Sequence, residues 1–134
     1  MTEQIETEQT DTTVIVSRVV SHPLKSVWNV LMTNEGMEAL LGPGGRLGDK
    51  GDKWQAQDGT YGVTRSFHPL EQIRFSWHRS EDAPRTLVDL HLSPQGADAT
   101  LLEIRHEHVG ADLDPANLQS RWEDSLMRID EDAL

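Results

Sequence analysis

Between residues 46 and 109, apolar side chains recur at every second position, whereas before and after this segment they recur at helical spacing. Within residues 72–80, for example, Ile73, Phe75 and Trp77 fall on one face of a predicted strand. A sheet with one apolar face must bury it, and the amphipathic stretch near the end of the chain is the element able to cover it. The apolar stripe of that predicted helix consists of Leu118, Trp122, Leu126 and Ile129.

The order of the elements defines the fold class. Residues 12–20 are rich in β-branched side chains and predict a first strand. A helix follows from Pro23, and Asn34 is predicted to cap a second, shorter one. An Asp58-Gly59 turn and two further turns divide the next segment into antiparallel strands. We therefore predict an α+β fold, in which a curved antiparallel sheet wraps around a long C-terminal helix. Residues 12–134 form this single domain, and residues 1–11 form a disordered acidic tail.

The composition excludes several functional classes. The chain has no cysteine, so disulfides, zinc–thiolate sites and thiol nucleophiles are ruled out. Its net charge of −11, from 12 basic and 23 acidic residues, repels a phosphate backbone and argues against nucleic-acid binding. The apolar runs are too short to span a membrane, and the N-terminus lacks the layout of a signal peptide. We expect a cytoplasmic protein that contacts neither nucleic acid nor membrane.

Several motifs resemble a known superfamily. The segment VSRVVSHPLKSVWNVL, residues 16–31, is similar to the start of SRPBCC, or START-like, proteins, whose fold is named the helix-grip. Within that superfamily the chain most resembles the activator of heat shock protein 90 ATPase homologues. The shared motifs include GPGG (42–45), HPLEQIRFSW (68–77), TLVDLHLSPQGADATLLEIRHEH (86–108) and RWEDSLMRI (121–129). The chain departs from the family pattern at residues 106–109, where relatives often read His-x-Gly-Phe, and at Leu40-Leu41, where they often carry an aromatic residue.

The resemblance and the pattern of faces together leave three functions open. The first is the binding of a small, mostly apolar or aromatic molecule in a cavity between the sheet and the C-terminal helix. The second is a chaperone co-factor, with a role in the stress response, or another protein-interaction module. The third is an enzyme of the cyclase or hydrolase type that uses the same cavity. The protein is expected to be a monomer or a homodimer.

His106 and His108 share one face of the last strand if the alternation holds. Metal sites use such His-x-His pairs, but a third ligand is missing here because Glu107 points to the opposite face. We therefore predict no metal and no other cofactor. Two interpretations of His106 stay open: a polar group that hydrogen-bonds a ligand, or a structural histidine satisfied by the protein or by water.

Arg65 shares its alternation phase with Val63 and Phe67, so the pattern places it on the apolar face. An arginine in that position could bind a ligand carboxylate through two hydrogen bonds. The alternatives are a local bulge that reverses the phase, and a structural salt bridge.

The predicted pocket has mainly large apolar walls and a few polar groups. No catalytic residue is predicted, because no pair of acids has the inward placement that acid–base catalysis needs. The predicted ligand-binding residues are Trp54, Arg65, Phe67, Phe75, Trp77, His106, His108, Trp122 and Leu126.

Overall fold

The computed structural model describes residues 12–134, so the predicted acidic tail over residues 1–11 lies outside the described residues. The strands are β1 (Thr12–Val20), β2 (Lys53–Gln55), β3 (Tyr61–His68), β4 (Gln72–Trp77), β5 (Thr86–Pro94) and β6 (Thr100–Val109). The helices are α1 (Leu24–Leu31), α2 (Asn34–Leu41) and α3 (Pro115–Arg128). The last helix continues into a π-helical turn, Ile129–Ala133.

The six strands form one antiparallel sheet with the order β1-β6-β5-β4-β3-β2. The first strand therefore pairs with the last, and Val16 lies opposite Ile104. The apolar side chains predicted to share one face of the sheet are buried together: Val88, Leu90 and Ile104 are each at most 1% exposed. The predicted α+β architecture, a curved antiparallel sheet gripping a long C-terminal helix, is confirmed.

Helix α3 covers the apolar face of the sheet. It starts where the sequence predicts, because the Asp114 carboxylate accepts a hydrogen bond from the Ala116 N–H at 2.9 Å and Pro115 occupies the first turn. Its apolar stripe, continued by the π-helical turn, is at most 3% exposed. Burying each of these large side chains contributes about 1.5–3 kcal/mol to folding. Arg18 of β1 donates to Asp130 at 2.8 Å and ties the end of the helix to the sheet.

The two short helices close one end of the core. Thr33, not the predicted Asn34, caps α2, because its backbone is extended and its hydroxyl accepts from the Gly36 N–H at 3.0 Å. Helix α2 then packs against α3, where Ser125 donates to the Leu40 carbonyl at 2.9 Å. Across residues 12–134 no helix is both long and apolar enough to cross a membrane.

Irregularities in two strands reverse the predicted alternation. In β3 the register shifts between Thr64 and Ser66, so that Thr64 is buried and Arg65 is exposed. In β6 the register shifts opposite Thr12–Val14, and His108 adopts a left-handed backbone with φ of 64°. His108 is exposed and Val109 takes the buried position. The prediction that His108 points into the interior is therefore wrong. For Arg65, the local bulge that reverses the phase is the interpretation observed, and Arg65 does not line the interior.

Candidate functional site

His106 lies at the centre of a buried chain of hydrogen bonds between the sheet and α3, and it is 0% exposed. The Trp122 indole N–H donates to His106 Nδ1 at 3.0 Å, and His106 Nε2 lies 2.7 Å from Thr86 Oγ1. The Thr86 hydroxyl donates its only proton to the Trp77 carbonyl at 2.6 Å. Nε2 must therefore carry the proton and donate to Thr86. Both ring nitrogens are engaged, and the ring is a neutral Nε2–H tautomer.

The electrostatics agree with this tautomer. Burial, with a further contribution from the positive charge of Arg121, lowers the pKa of His106 to about 3. The engaged nitrogens offer no free lone pair to a metal ion. Within residues 12–134 no group of three His, Cys, Asp or Glu side chains is placed to hold a metal. Of the two interpretations of His106, the structure supports the structural histidine.

The space around His106 is filled by aromatic side chains. The His106 ring centroid lies 4.9 Å from that of Trp77 and 5.7 Å from that of Trp122, and the two indoles are 6.2 Å apart. Trp77, Trp122 and His106 are each at most 1% exposed. Edge-to-face packing of this kind stabilises the core and leaves no room for a ligand among these three rings.

The remaining predicted pocket residues also belong to the core. Phe75 and Leu126 are at most 1% exposed, and Phe67 is partly buried at the margin of the core. Trp54 packs edge-on against Phe75 with centroids 5.7 Å apart, and its indole donates to the Ser76 carbonyl at 3.2 Å. The structure thus brings Trp54, Phe75 and Trp77 together as packing groups, while Arg65 and His108 stay outside.

Beside this core, a cleft of about 270 Å³ opens between the β2–β3 turn, the end of β4 and the first half of α3. Trp77 and Leu118 form its apolar wall. Its polar lining consists of Asp58, Thr60, Arg79, Asn117 and Arg121. We define these seven residues as the turn–helix cleft.

Arg121 is the central polar residue of the turn–helix cleft. Its Nη2 donates to the Leu41 carbonyl at 3.1 Å and forms an ion pair with Asp58 Oδ2 at 3.0 Å. Its guanidinium carbon lies 5.3 Å from the centroid of the Trp77 ring, within the range of a cation–π contact. The guanidinium carbon also lies 5.6 Å from the centroid of the Trp122 ring, and the positive charge of Arg121 contributes to the lowered pKa of His106.

Asp58 is held in place from the β2–β3 turn. Its Oδ1 accepts from the Thr60 N–H at 3.0 Å and from the Thr60 hydroxyl at 2.7 Å. Burial raises the pKa of Asp58, but the hydrogen bonds from Thr60 and the charge of Arg121 outweigh burial and lower the pKa overall. Asp58 is therefore ionised at neutral pH and offers Oδ2 to Arg121.

Two residues that line the cleft, Trp77 and Arg121, each have a buried donor atom without a protein partner. Among residues 12–134, the indole Nε1 of Trp77 and the Nε of Arg121 are inaccessible side-chain atoms without a hydrogen bond. Thr64 Oγ1 is a third such atom, but it lies in the core opposite Phe75. Leaving a buried donor unsatisfied costs about 1–3 kcal/mol. A ligand that presents a hydrogen-bond acceptor to such donors would therefore be stabilised.

A larger depression of about 570 Å³ lies along β2 and β3, bounded by residues that include Lys53, Tyr61 and Glu81. None of the three unpartnered buried atoms described above lines it. Its one buried indole, that of Trp54, already donates to Ser76. The turn–helix cleft is therefore the better candidate for a binding site.

Sequence reasoning missed most of the cleft. Trp77 was predicted as a binding residue, but Asp58 was recognised only as a turn residue, and Arg79, Asn117 and Arg121 were not singled out. One signal was present: Arg121 stands three positions after Leu118 and one before Trp122, on the margin of the apolar stripe, where a long basic side chain can reach the sheet.

Comparison with known proteins supports the fold. Neither protein-family models nor curated protein sequences match the chain. Among solved structures, CalU16 from Micromonospora echinospora superposes with a TM-score of 0.73 at 23% identity, covering 88% of this chain and 71% of that one. The Aha1 dimer from Colwellia psychrerythraea gives a TM-score of 0.72 at 13% identity, covering 91% and 96%. An HSP90 activator from Plasmodium falciparum gives 0.70 at 13% identity, covering 87% and 92%.

These likenesses define the class of fold. The chain has the helix-grip fold that the sequence motifs predicted. At identities of 13 to 23%, the likeness concerns the fold alone, because one fold can carry many functions.

Proposed function

We propose that the protein binds a small molecule in the turn–helix cleft, at one end of the interface between the sheet and α3. The observation that carries this proposal is the pair of buried, unpartnered donors, Trp77 Nε1 and Arg121 Nε. A ligand that offers acceptor atoms to these two donors would remove the free-energy cost of leaving them without hydrogen bonds. Trp77 and Leu118 supply the apolar wall that a mostly apolar ligand needs.

The size of the cleft limits the ligand. A volume of about 270 Å³ lies just below the usual range for ligand pockets, about 300–1,000 Å³. It suits a molecule with a single ring rather than a lipid chain. This replaces the larger interior cavity expected from the sequence, because Trp77, His106 and Trp122 fill that space.

The tryptophan indole N–H groups allow a direct test by NMR. Addition of single-ring fragments to labelled protein should shift the indole N–H resonance of Trp77. The indole resonances of Trp54 and Trp122 should move little, because these N–H groups already donate to Ser76 and His106. The Trp77 resonance is assigned by its loss in Trp77→Phe.

A matched pair of variants controls the location. Asn117→Phe places a ring in the cleft and should abolish the fragment-induced shifts. Gln119→Phe, on an exposed position of the same helix outside the cleft, should leave them unchanged. The proposal fails if no fragment shifts Trp77, or if fragments shift the Trp122 resonance instead.

A second function, chaperone co-factor, is favoured by one observation. Ile15 and Val19 of β1 are 48% and 55% exposed, and β1 is an edge strand, whose unpaired backbone groups can pair with another chain. One structural neighbour carries the description of an HSP90 activator. Stimulation of the ATPase of purified heat shock protein 90, abolished in Val19→Glu, would support this function. No stimulation by the unmodified protein would exclude it.

The enzyme alternative gains no support from His106. Both ring nitrogens are used in structural hydrogen bonds, and the nearest charged group affecting its pKa is Arg121 rather than an acid. Acid–base catalysis needs a group that can exchange its proton with a substrate.

A further inference from the structure

We infer that the ligand of the turn–helix cleft carries a carboxylate, and that Asp58 occupies the place of that carboxylate in the free protein. This inference rests on the proposed small-molecule function and names the chemical class of the ligand. It assigns to Arg121 the role of anchor and to Asp58 the role of an internal competitor.

The guanidinium of Arg121 contacts Asp58 through one nitrogen, Nη2, and its Nε has no partner within residues 12–134. Carboxylates pair best with arginine through two parallel hydrogen bonds, one of which can come from Nε and the other from an Nη on the same side. Asp58 Oδ2 reaches Nη2 at 3.0 Å, whereas Nε is left without a partner. Asp58 cannot easily complete the pair, because its other oxygen accepts two hydrogen bonds from Thr60.

A ligand carboxylate can satisfy the donors that Asp58 leaves unpaired. Once Asp58 is displaced, one oxygen would accept from Arg121 Nε and from the indole N–H of Trp77, the buried donors of two residues that line this cleft. The second oxygen would replace Asp58 Oδ2 at Nη2. The ring of an aromatic acid would then lie against Trp77 and Leu118.

The charge around the cleft favours an anion. Arg79 and Arg121 line it together with a single acid, Asp58, which leaves a local excess of positive charge. The chain as a whole carries −11. A small positive region on an acidic protein attracts anions to that place. This attraction weakens as the salt concentration rises.

The test compares benzoate with benzamide, which have nearly the same shape but differ in charge. Both are titrated into the 134-residue protein, and the indole N–H resonance of Trp77 is followed. We expect benzoate to bind at least tenfold more tightly than benzamide. In Asp58→Asn the affinity for benzoate should rise a further five- to tenfold, because the competitor is gone, while that for benzamide stays within twofold.

Two further variants separate local from general effects. Asp98→Asn removes the same charge from the β5–β6 turn, at the end of β5 remote from Trp77, and should change benzoate binding less than twofold. Arg121→Met should abolish the preference for benzoate. Asp58→Asn keeps an oxygen for Thr60 and is the variant on which the inference depends if Arg121→Met does not fold.

The outcomes distinguish this inference from the proposed function. If benzamide shifts Trp77 as strongly as benzoate does, the cleft binds small molecules but the carboxylate inference is overturned. The same holds if Asp58→Asn leaves benzoate affinity unchanged or lowers it. If neither compound shifts Trp77 in any variant, including Asp58→Asn, both the inference and the proposed function fail.

Discussion

Replacing His106 with glutamine is expected to remove much of the acid sensitivity of this protein. His106 is neutral in the folded state because burial and Arg121 lower its pKa to about 3, whereas the unfolded chain titrates near the ordinary value of 6.5. Between these two pH values the unfolded state binds more protons than the folded state. Stability is therefore fully present above pH 6.5 and is lost as the pH falls toward 3.

The size of this effect follows from the two pKa values. Between pH 7 and pH 4.5 the histidine should lower the free energy of unfolding by about 2.5 kcal/mol, at about 1.4 kcal/mol per pH unit below 6.5. Glutamine can still donate to Thr86 but cannot be protonated. The variant starts less stable at pH 7, because the buried Trp122 indole loses its acceptor at a cost of about 1–3 kcal/mol.

Urea unfolding at the two pH values, followed by tryptophan fluorescence, measures the difference. The acidic side chains of the two proteins titrate alike, so they cancel when the pH dependence of the variant is subtracted from that of the unmodified protein. We expect the unmodified protein to lose about 2.5 kcal/mol more than His106→Gln. Equal losses in the two proteins would refute the buried, neutral histidine.

Three other predictions concern the frame around the site. Trp122→Ala should lower the free energy of unfolding by about 3–5 kcal/mol, and a loss below about 1 kcal/mol in chemical unfolding would show that α3 does not close the core. Asp114→Ala should cost about 1 kcal/mol by removing the cap of α3, whereas no change in the melting temperature would mean that the cap bond to Ala116 is absent in solution. Elemental analysis of the purified protein should find no stoichiometric zinc; one zinc per chain that is lost in His106→Ala would contradict the hydrogen bonding described for that ring.

The fold was predictable because it depends on long, regular patterns. Period-two alternation in β4, β5 and most of β6 and the helical stripe from Leu118 to Ile129 each involve several residues that agree with one another. Burial of one face per element then requires the helix to lie on the sheet. Single departures do not disturb such a pattern.

The orientation of individual polar residues was not predictable to the same degree. One irregular residue reverses the parity of everything beyond it, and neither β3 nor β6 contains a glycine at its irregularity to signal the change. Regular alternation therefore places Arg65 and His108 on the apolar face, whereas both are exposed. At His108 the left-handed backbone, with φ of 64°, is found in a non-glycine residue, which sequence patterns rarely reveal.

The partners of His106 and the cleft depend on three-dimensional contacts between distant segments. Thr86, His106 and Trp122 come from β5, β6 and α3, and their mutual hydrogen bonds follow from the strand register and the rotation of the helix. Asp58 and Arg121 are 63 positions apart in the sequence and meet only because the β2–β3 turn reaches over the start of α3. A pattern along the chain records neither relation.

A crystal structure of the protein soaked with benzoate tests most directly that the turn–helix cleft, rather than the interior around His106, is the binding site. The carboxylate should lie at Arg121 Nε and Trp77 Nε1, with Asp58 displaced from Arg121 and with the Trp77, His106 and Trp122 rings unmoved. Benzoate bound between the sheet and α3 next to His106, with those three rings spread apart, would contradict it.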